Sequence, residues 1–464
     1  MLQGFSNTML GALTLASVLS AGLPAVATDG AEPIGPEDAV RIALESHPGL
    51  RAAEEGVKVA EAERAFAGSG YLPRVEITED WVRSNNPVFV FGSKLAQGIF
   101  GPDDFLIESL NDPDPITNAM TAVTVRQNIW DAGRTDLHKR AARFGIEAAE
   151  YSRQKARDEV VFGALQAFWD LALAEEMLRV ALDAEEAARA NLSLAGELVE
   201  AGLAVPSDRM SAEVRMAEVE AMRIRAESSV EVAHAALLRA MGLESDRRFE
   251  PLPVGPRPAV EGDALEQRID QAYAQRADLL ELDRRIEQAR VGVKAAKSGH
   301  YPEIGALARY EWNGDNLFGT DGDNWAIGLS ARFTVFDGYA TKAGARRGNA
   351  ELSRLHAMRE AFRQGIRFEV EAAWAERDSA RRRVDVAAKA LDRAEEALRI
   401  VRERYGEGLA VIVELLGAET AFTQAQANHA AAVSQLWLAQ AGLDLASGRD
   451  PSPSGPASGP ADQS

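Results

Sequence analysis

Apolar residues recur at alternating intervals of three and four at Val384, Ala387, Leu391, Ala394, Leu398, Val401 and Tyr405, the spacing of a coiled-coil seam. No proline interrupts the chain from Glu303 to Asp450 or from Ile116 to Val205. Both spans are rich in Ala, Glu, Arg and Leu, so each is predicted to hold one long helix. The first span keeps the seam at Leu192, Ala195 and Val199, but Glu185 stands where Leu391 does. A helix from Ala132 to Ala201 would be a rod of roughly 105 Å. Shorter helices predicted at about 39–69 and 207–242 would match it when stacked end to end, so the pattern points to a bundle or tube.

Where the helical period stops, a period of two takes over. In Trp325 to Val335, Trp, Ile, Leu, Ala, Phe and Val share one side, while Ala, Gly, Ser, Arg and Thr share the other. Ile304 to Trp312 alternates likewise, with Ile304, Ala306, Ala308, Tyr310 and Trp312 on its apolar side. Thr121 to Trp130 is a further strand, and Val75 to Val82 a weaker one. Strands of this length with an apolar side and aromatic ends suit a bilayer-spanning barrel; a soluble hairpin would alternate in the same way. Four strands cannot close a membrane barrel, so several chains must contribute.

The two halves of the chain are copies. Ser69-Gly70-Tyr71-Leu72-Pro73 returns as Ser298-Gly299-His300-Tyr301-Pro302 at an offset of 229, and Phe162, Gly202-Leu203-Ala204-Val205 and Gly242 return as Phe368, Gly408-Leu409-Ala410-Val411 and Gly448 at an offset of 206. The 23 extra residues of the first copy therefore lie between Pro73 and Asp131. They fall in Asn85 to Asn118, whose aromatic content predicts that it folds onto the mouth of the barrel. The expected division is a leader at 1–27, a first repeat at 28–248, a second at 249–448, and a disordered Pro/Ser/Gly tail at 449–464. The leader rests on the apolar run from Met9 to Leu23 and the Ala25-Val26-Ala27 cleavage pattern, although no Lys or Arg precedes the run.

Composition narrows the function classes. No later stretch is long and apolar enough for a helical span, so a membrane crossing must use strands. The absence of cysteine removes disulfides, a thiol nucleophile and a lipoprotein anchor. A net charge of −20 argues against nucleic acid and fits either a solvated acidic surface or an acidic lumen that favours cations. Phosphate-loop, zinc-protease and nucleophile-elbow motifs are missing. The six histidines are scattered, so no enzyme, metal or cofactor is expected.

The twofold repeat, the order of short helix, two strands and long helix, the Trp130-Asp131-Ala132-Gly133 and Phe336-Asp337-Gly338 corners, and the Gly-Leu-Ala-Val turns together resemble the TolC, or outer membrane efflux protein, family over about residues 36 to 448. The resemblance implies a mainly α fold with a small β part. In it, long antiparallel helices of a homotrimer form a periplasmic α-barrel and twelve strands form one outer-membrane barrel. It implies an exit duct of a tripartite efflux or type I secretion system, served by a periplasmic adaptor and an inner-membrane RND or ABC transporter. Multidrug efflux is the preferred role and protein secretion the alternative; an exported coiled-coil scaffold or a surface adhesin explains less. Asp131 and Asp337 read as helix caps.

By the same resemblance, Gly202, Leu203, Gly408 and Leu409 at the helix turns are adaptor contacts, beyond the glycines' simple use in ending a helix. Ser207, Asp208, Tyr405 and Glu414 are the periplasmic gate. Ala410 occupies the position of a gate Arg and Gly417 that of a second carboxylate, so one closing ion pair is missing. Glu414 has two readings: a carboxylate ring drawing cations to the axis, or a first-turn residue favoured by the helix dipole.

Overall fold

The structure, a computed structural model, describes residues 31–244, 247–252 and 264–452; the expected leader and the tail beyond 452 lie outside them. In chain order the elements are β1 (Glu32–Ile34), α1 (Pro36–Ser46), α2 (Pro48–Gly68), β2 (Arg74–Ser84), α3 (Pro87–Ala96), α4 (Ile107–Asn111), β3 (Ile116–Trp130), α5 (Arg134–Glu200), α6 (Pro206–Met241), β4 (Phe249–Pro251), α7 (Leu265–Gln275), α8 (Ala277–Lys297), β5 (Glu303–Gly314), β6 (Gly322–Arg332), α9 (Ala340–Gly406) and α10 (Ile412–Ala446). Among the described residues no helix is long and apolar enough to cross a membrane.

α5 and α9 are each 67 residues long, starting two or three residues after the corners read from the sequence. The delay has a local cause. Ala132 and Gly133 in one copy, and Gly338 and Tyr339 in the other, adopt left-handed backbone and turn the chain from strand to helix. The Asp before each pair then caps the helix. Asp131 Oδ2 accepts from the amide and hydroxyl of Thr135 at 2.9 and 2.5 Å, and Asp337 Oδ2 from those of Thr341 at 2.7 and 2.5 Å.

The helix expected over 39–69 is two helices, because Pro48 lacks an amide hydrogen and disfavours helical backbone at the residue before it. His47 is extended at ψ 122° and its Nδ1 accepts from the Gly49 amide at 3.1 Å. The second copy breaks at the equivalent Arg276, ψ 121°, although Ala277 is no proline. Here the tertiary structure dictates the break: Arg276 bonds to Asp278 at 2.6 Å and to Glu369, and lies across the end of α10 at Ala446.

Seam positions 384, 387, 391, 394, 398, 401 and 405 are all sheltered in their stretch of α9, and Ala388 is the one other sheltered position among them. The odd Glu185 in α5 is resolved by a partner from the next helix, as it lies 2.8 Å from Arg223 of α6 and 2.7 Å from Arg189. The main core sits at mid-length. Phe168, Leu171, Leu237, Met241 and Ile34 are buried there, Trp169 stacks on Trp437 at 4.9 Å, and the parallel β1–β4 pair closes it. A second cluster joins Ile269 and Leu279 to Ile366, Val370 and Leu443. α5 buries sixteen residues and α9 only five, so α9 leaves most of its circumference, including Phe368 and Val386, without a partner in one chain. Beyond α10, Arg449 donates to Gln271 at 2.8 Å and Asp450 accepts from Arg157 at 3.1 Å. The chain is therefore held against the helices as far as Asp450, into the segment expected to be a disordered tail.

The four strands form one antiparallel sheet in the order β2-β3-β5-β6. β2, read as weak, runs for 11 residues, while β6 ends at Arg332 and leaves Phe333 to Val335 outside it. Register assigns the two sides. Val75, Val125, Ala308 and Ile327 form one cross-strand row, and Ile77, Val123, Tyr310 and Trp325 the next. The opposite side carries Glu76, Thr124 and Arg309, then Thr78, Ala122, Glu311 and Asn324. Arg126 pairs with Glu76 at 2.9 Å and Arg309 with Glu311 at 2.8 Å. This polar side mixes both signs of charge.

Candidate functional site

At the end of the rod away from the sheet, both long helices stop in the same way. Gly202 (φ 69°) and Gly408 (φ 73°) supply the left-handed residue that ends a helix. The Gly202 amide donates to Val199 O at 3.0 Å and the Leu203 amide to Leu198 O at 2.8 Å. In the second copy Gly408 donates to Tyr405 O at 3.0 Å and Leu409 to Arg404 O at 2.8 Å. Once the last carbonyls are satisfied, the next residues have nowhere to pack. Leu203 is 77% and Leu409 63% exposed, and Val205 and Val411 stand out beside them. The tip thus presents two matched pairs of exposed apolar side chains.

α6 and α10 then start from Val205 and Val411, neither of which has a side chain able to cap. Asp208 and Glu414 occupy equivalent places three residues on, and their amides donate to Val205 O and Val411 O at 2.9 and 3.0 Å. A carboxylate in the first turn of an uncapped helix offsets the positive end of the dipole. Glu414 is exposed there. Ser207 is also exposed, and its carbonyl accepts from the Ser211 hydroxyl at 3.0 Å.

Tyr405 is different. It packs with Leu192 and Leu416 against the buried Ala195, Ala212 and Ile412, tying both turns together. Burial, and then the Asp208 carboxylate, push its hydroxyl above the ordinary tyrosine range. Of the four expected gate residues, Tyr405 is half-buried and feels the charge of Asp208, while Ser207 and Glu414 lie at the surface. Arg404, next to Tyr405, donates from its guanidinium to Leu409 O at 3.1 Å across the second turn.

Sequence reasoning passed over Glu419. This carboxylate is buried in α10 and accepts from Asn191 of α5 at 2.7 Å, with Arg402 of α9 3.6 Å away. It lines a cavity of about 670 Å³ with Asp183, Arg215, Asp392, Arg399 and Phe422. No local pattern distinguishes Glu419 from the many surface glutamates of these helices. Among the described residues no group of His, Cys, Asp and Glu is placed to hold a metal.

The sequence pattern of the family described as outer membrane efflux protein matches residues 39–243 and 268–449. Protein CyaE of Bordetella pertussis is 23% identical over 404 residues, covering 86% of this chain and 81% of that protein. The proteases secretion protein PrtF of Dickeya chrysanthemi is 25% identical over 432 residues, covering 89% and 88%. Among solved structures, the CmeC outer membrane channel of Campylobacter jejuni aligns with a TM-score of 0.75 at 16% identity, over 89% of this chain and 85% of that one.

Proposed function

This chain belongs to the outer membrane efflux protein family, and on that premise we propose that three copies assemble into a passive exit duct, a conduit and not an enzyme. Each copy contributes four strands to a twelve-stranded barrel in the outer membrane and its long helices to a periplasmic tunnel. The carrying observation is the sheet: one side is apolar, the other polar, and both edges, β2 and β6, are open. Open strand edges are not tolerated in lipid, and pairing each edge with a neighbouring copy satisfies them all. The uncovered circumference of α9 supports the same assembly.

At the periplasmic mouth, Asp208 and Tyr405 are the central gate pair, with Ser207 and Glu414 around them. Gly202, Leu203, Gly408 and Leu409 are the adaptor contacts, since their apolar knobs lack any cover within the chain. The adaptor would couple the duct to an RND or ABC transporter, which supplies the energy. Small-molecule efflux and type I protein secretion both fit this duct. The long match to a protein named for protease secretion lends weight to the second.

Recording the purified protein in planar bilayers under asymmetric KCl, beside Glu414→Ala, tests the duct. Discrete openings from an SDS-resistant trimer are expected; an absence of openings would sink the proposal. A cation preference lost in Glu414→Ala would make that carboxylate part of the gate, and an unchanged preference would leave it a helix-start residue.

A further inference from the structure

The excess chain between β2 and β3 is folded. Asn86 Oδ1 accepts from the amides of Val88 and Phe89 at 3.1 and 3.2 Å and starts α3. The rings of Phe91, Phe100 and Phe105 meet edge to face at 4.8 and 5.1 Å, Lys94 Nζ lies 2.6 Å from Asp104, and Val90 is buried. The segment is a small packed cap with its own core.

Its seat is well defined. The Gln97 side chain, 2% exposed, donates to Thr117 O at 2.8 Å, Asn118 Oδ1 at 2.8 Å and Gly314 O at 3.2 Å. Asn118 in turn donates to Asn313 Oδ1 at 3.0 Å. A Cβ on Gly322 would stand only 2.1 Å from Ala96 O, so the end of α3 lies directly on that strand. By register Asn118, Asn313 and Gly322 all belong to the polar side of the sheet. The cap therefore lies over the side that a closed barrel turns toward its lumen, at the end opposite the long helices.

Size decides what it does there. Twelve strands about 4.8 Å apart, tilted by about 40°, give a backbone radius of roughly 12 Å, and a helix with its side chains is about 10 Å thick. Three bodies of that thickness more than fill such a ring, so caps carried at its outer rim by three copies would meet over the axis. Each still exposes Val88 (82%), Ile107 (77%), Phe105 and Leu106, apolar side chains that a lone cap leaves in water.

We propose that the caps of the three copies pack against one another through this apolar surface and close the outer mouth, placing a second closure in series with the periplasmic turns. The occupant of each patch is the same patch of a neighbouring copy. This rests on the trimeric duct proposed above. Because the chain has no cysteine, Ile107→Cys can be introduced alone, and oxidation with copper phenanthroline in outer-membrane vesicles should convert SDS-resistant trimers to covalent dimers. Leu329→Cys, on the apolar side of β6, should give none. Gly322→Leu, which drives a side chain against Ala96 O, should raise single-channel conductance by about twofold, as removal of one of two comparable constrictions in series would. Intact trimers with no cross-link at position 107 would overturn the cap contact and leave the duct standing, and this arm decides the matter if Gly322→Leu fails to assemble. Failure of the wild-type chain to form trimers would overturn the duct itself.

Discussion

Gly242 and Gly448 share with Gly202 and Gly408 a left-handed φ near the end of a helix, yet their surroundings differ. An added Cβ at Gly242 would meet His47 Cα at 2.6 Å, and one at Gly448 would meet Arg276 N at 2.9 Å, whereas Gly202 and Gly408 have open space. Gly408→Ala should therefore cost about 1 kcal/mol of backbone strain, while Gly448→Ala adds a backbone clash and costs roughly 2–4 kcal/mol. Melting of detergent-solubilised trimers should order them so. Asp158 gives a second residue-scale prediction. Its carboxylate accepts from Gln154 at 2.8 Å and faces Arg157 and Asp450 beside a cavity of about 270 Å³ lined also by Lys155, Arg276, Asp278 and Glu369. Burial pushes it up to about 6. Because the folded chain then holds a proton that the unfolded chain has released, stability falls as pH rises from about 4 to 6. Wild type should melt higher at pH 5 than its Asp158→Asn variant predicts from pH 7.5, and the variant should lose that part of the pH dependence. Equal pH slopes in the two would count against it.

At the scale of elements, α5 and α6 are held across the seam by Glu185 and Arg223, whose side chains are 12% and 26% exposed. Removing one partner of such a pair leaves a poorly solvated charge, so Arg223→Ala should destabilise by about 1–3 kcal/mol. Glu185→Leu with Arg223→Met should recover most of the loss, because the double variant restores the apolar seam of the second copy. A double variant no better than Arg223→Ala would show that the helices do not depend on this contact. The helix breaks divide by cause. Pro48 marks one in the sequence itself, while the break before Ala277 arises from Arg276 binding Asp278, Glu369 and the end of α10. The first was legible and was passed over; the second follows from partners distant in the chain.

For the whole molecule, the two sides of the sheet face different media. Ile327 lies mid-strand on the apolar side, and Asn324 on the polar side opposite Glu311. Ile327→Arg should cost roughly 2–4 kcal/mol in the bilayer and abolish SDS-resistant trimers, whereas Asn324→Arg should leave assembly unchanged. Equal trimer yields from both variants would refute the orientation of the sheet. The long exposed circumference of α9, the two open strand edges and the apolar cap all lie on surfaces that one chain leaves uncovered, and the proposed assembly in threes would cover them together.

The sequence by itself determined the two long helices, the strands and their sides, the Asp-capped corners and the glycine turns. Each of these follows from periodicity, proline exclusion or backbone sterics acting within a few residues. Only the tertiary structure decided that Glu185 is paired, that Glu419 is buried, and that the first-copy insertion sits over the polar side of the sheet. Those outcomes depend on which groups from distant segments fill the space beside a residue, and local pattern carries no record of that.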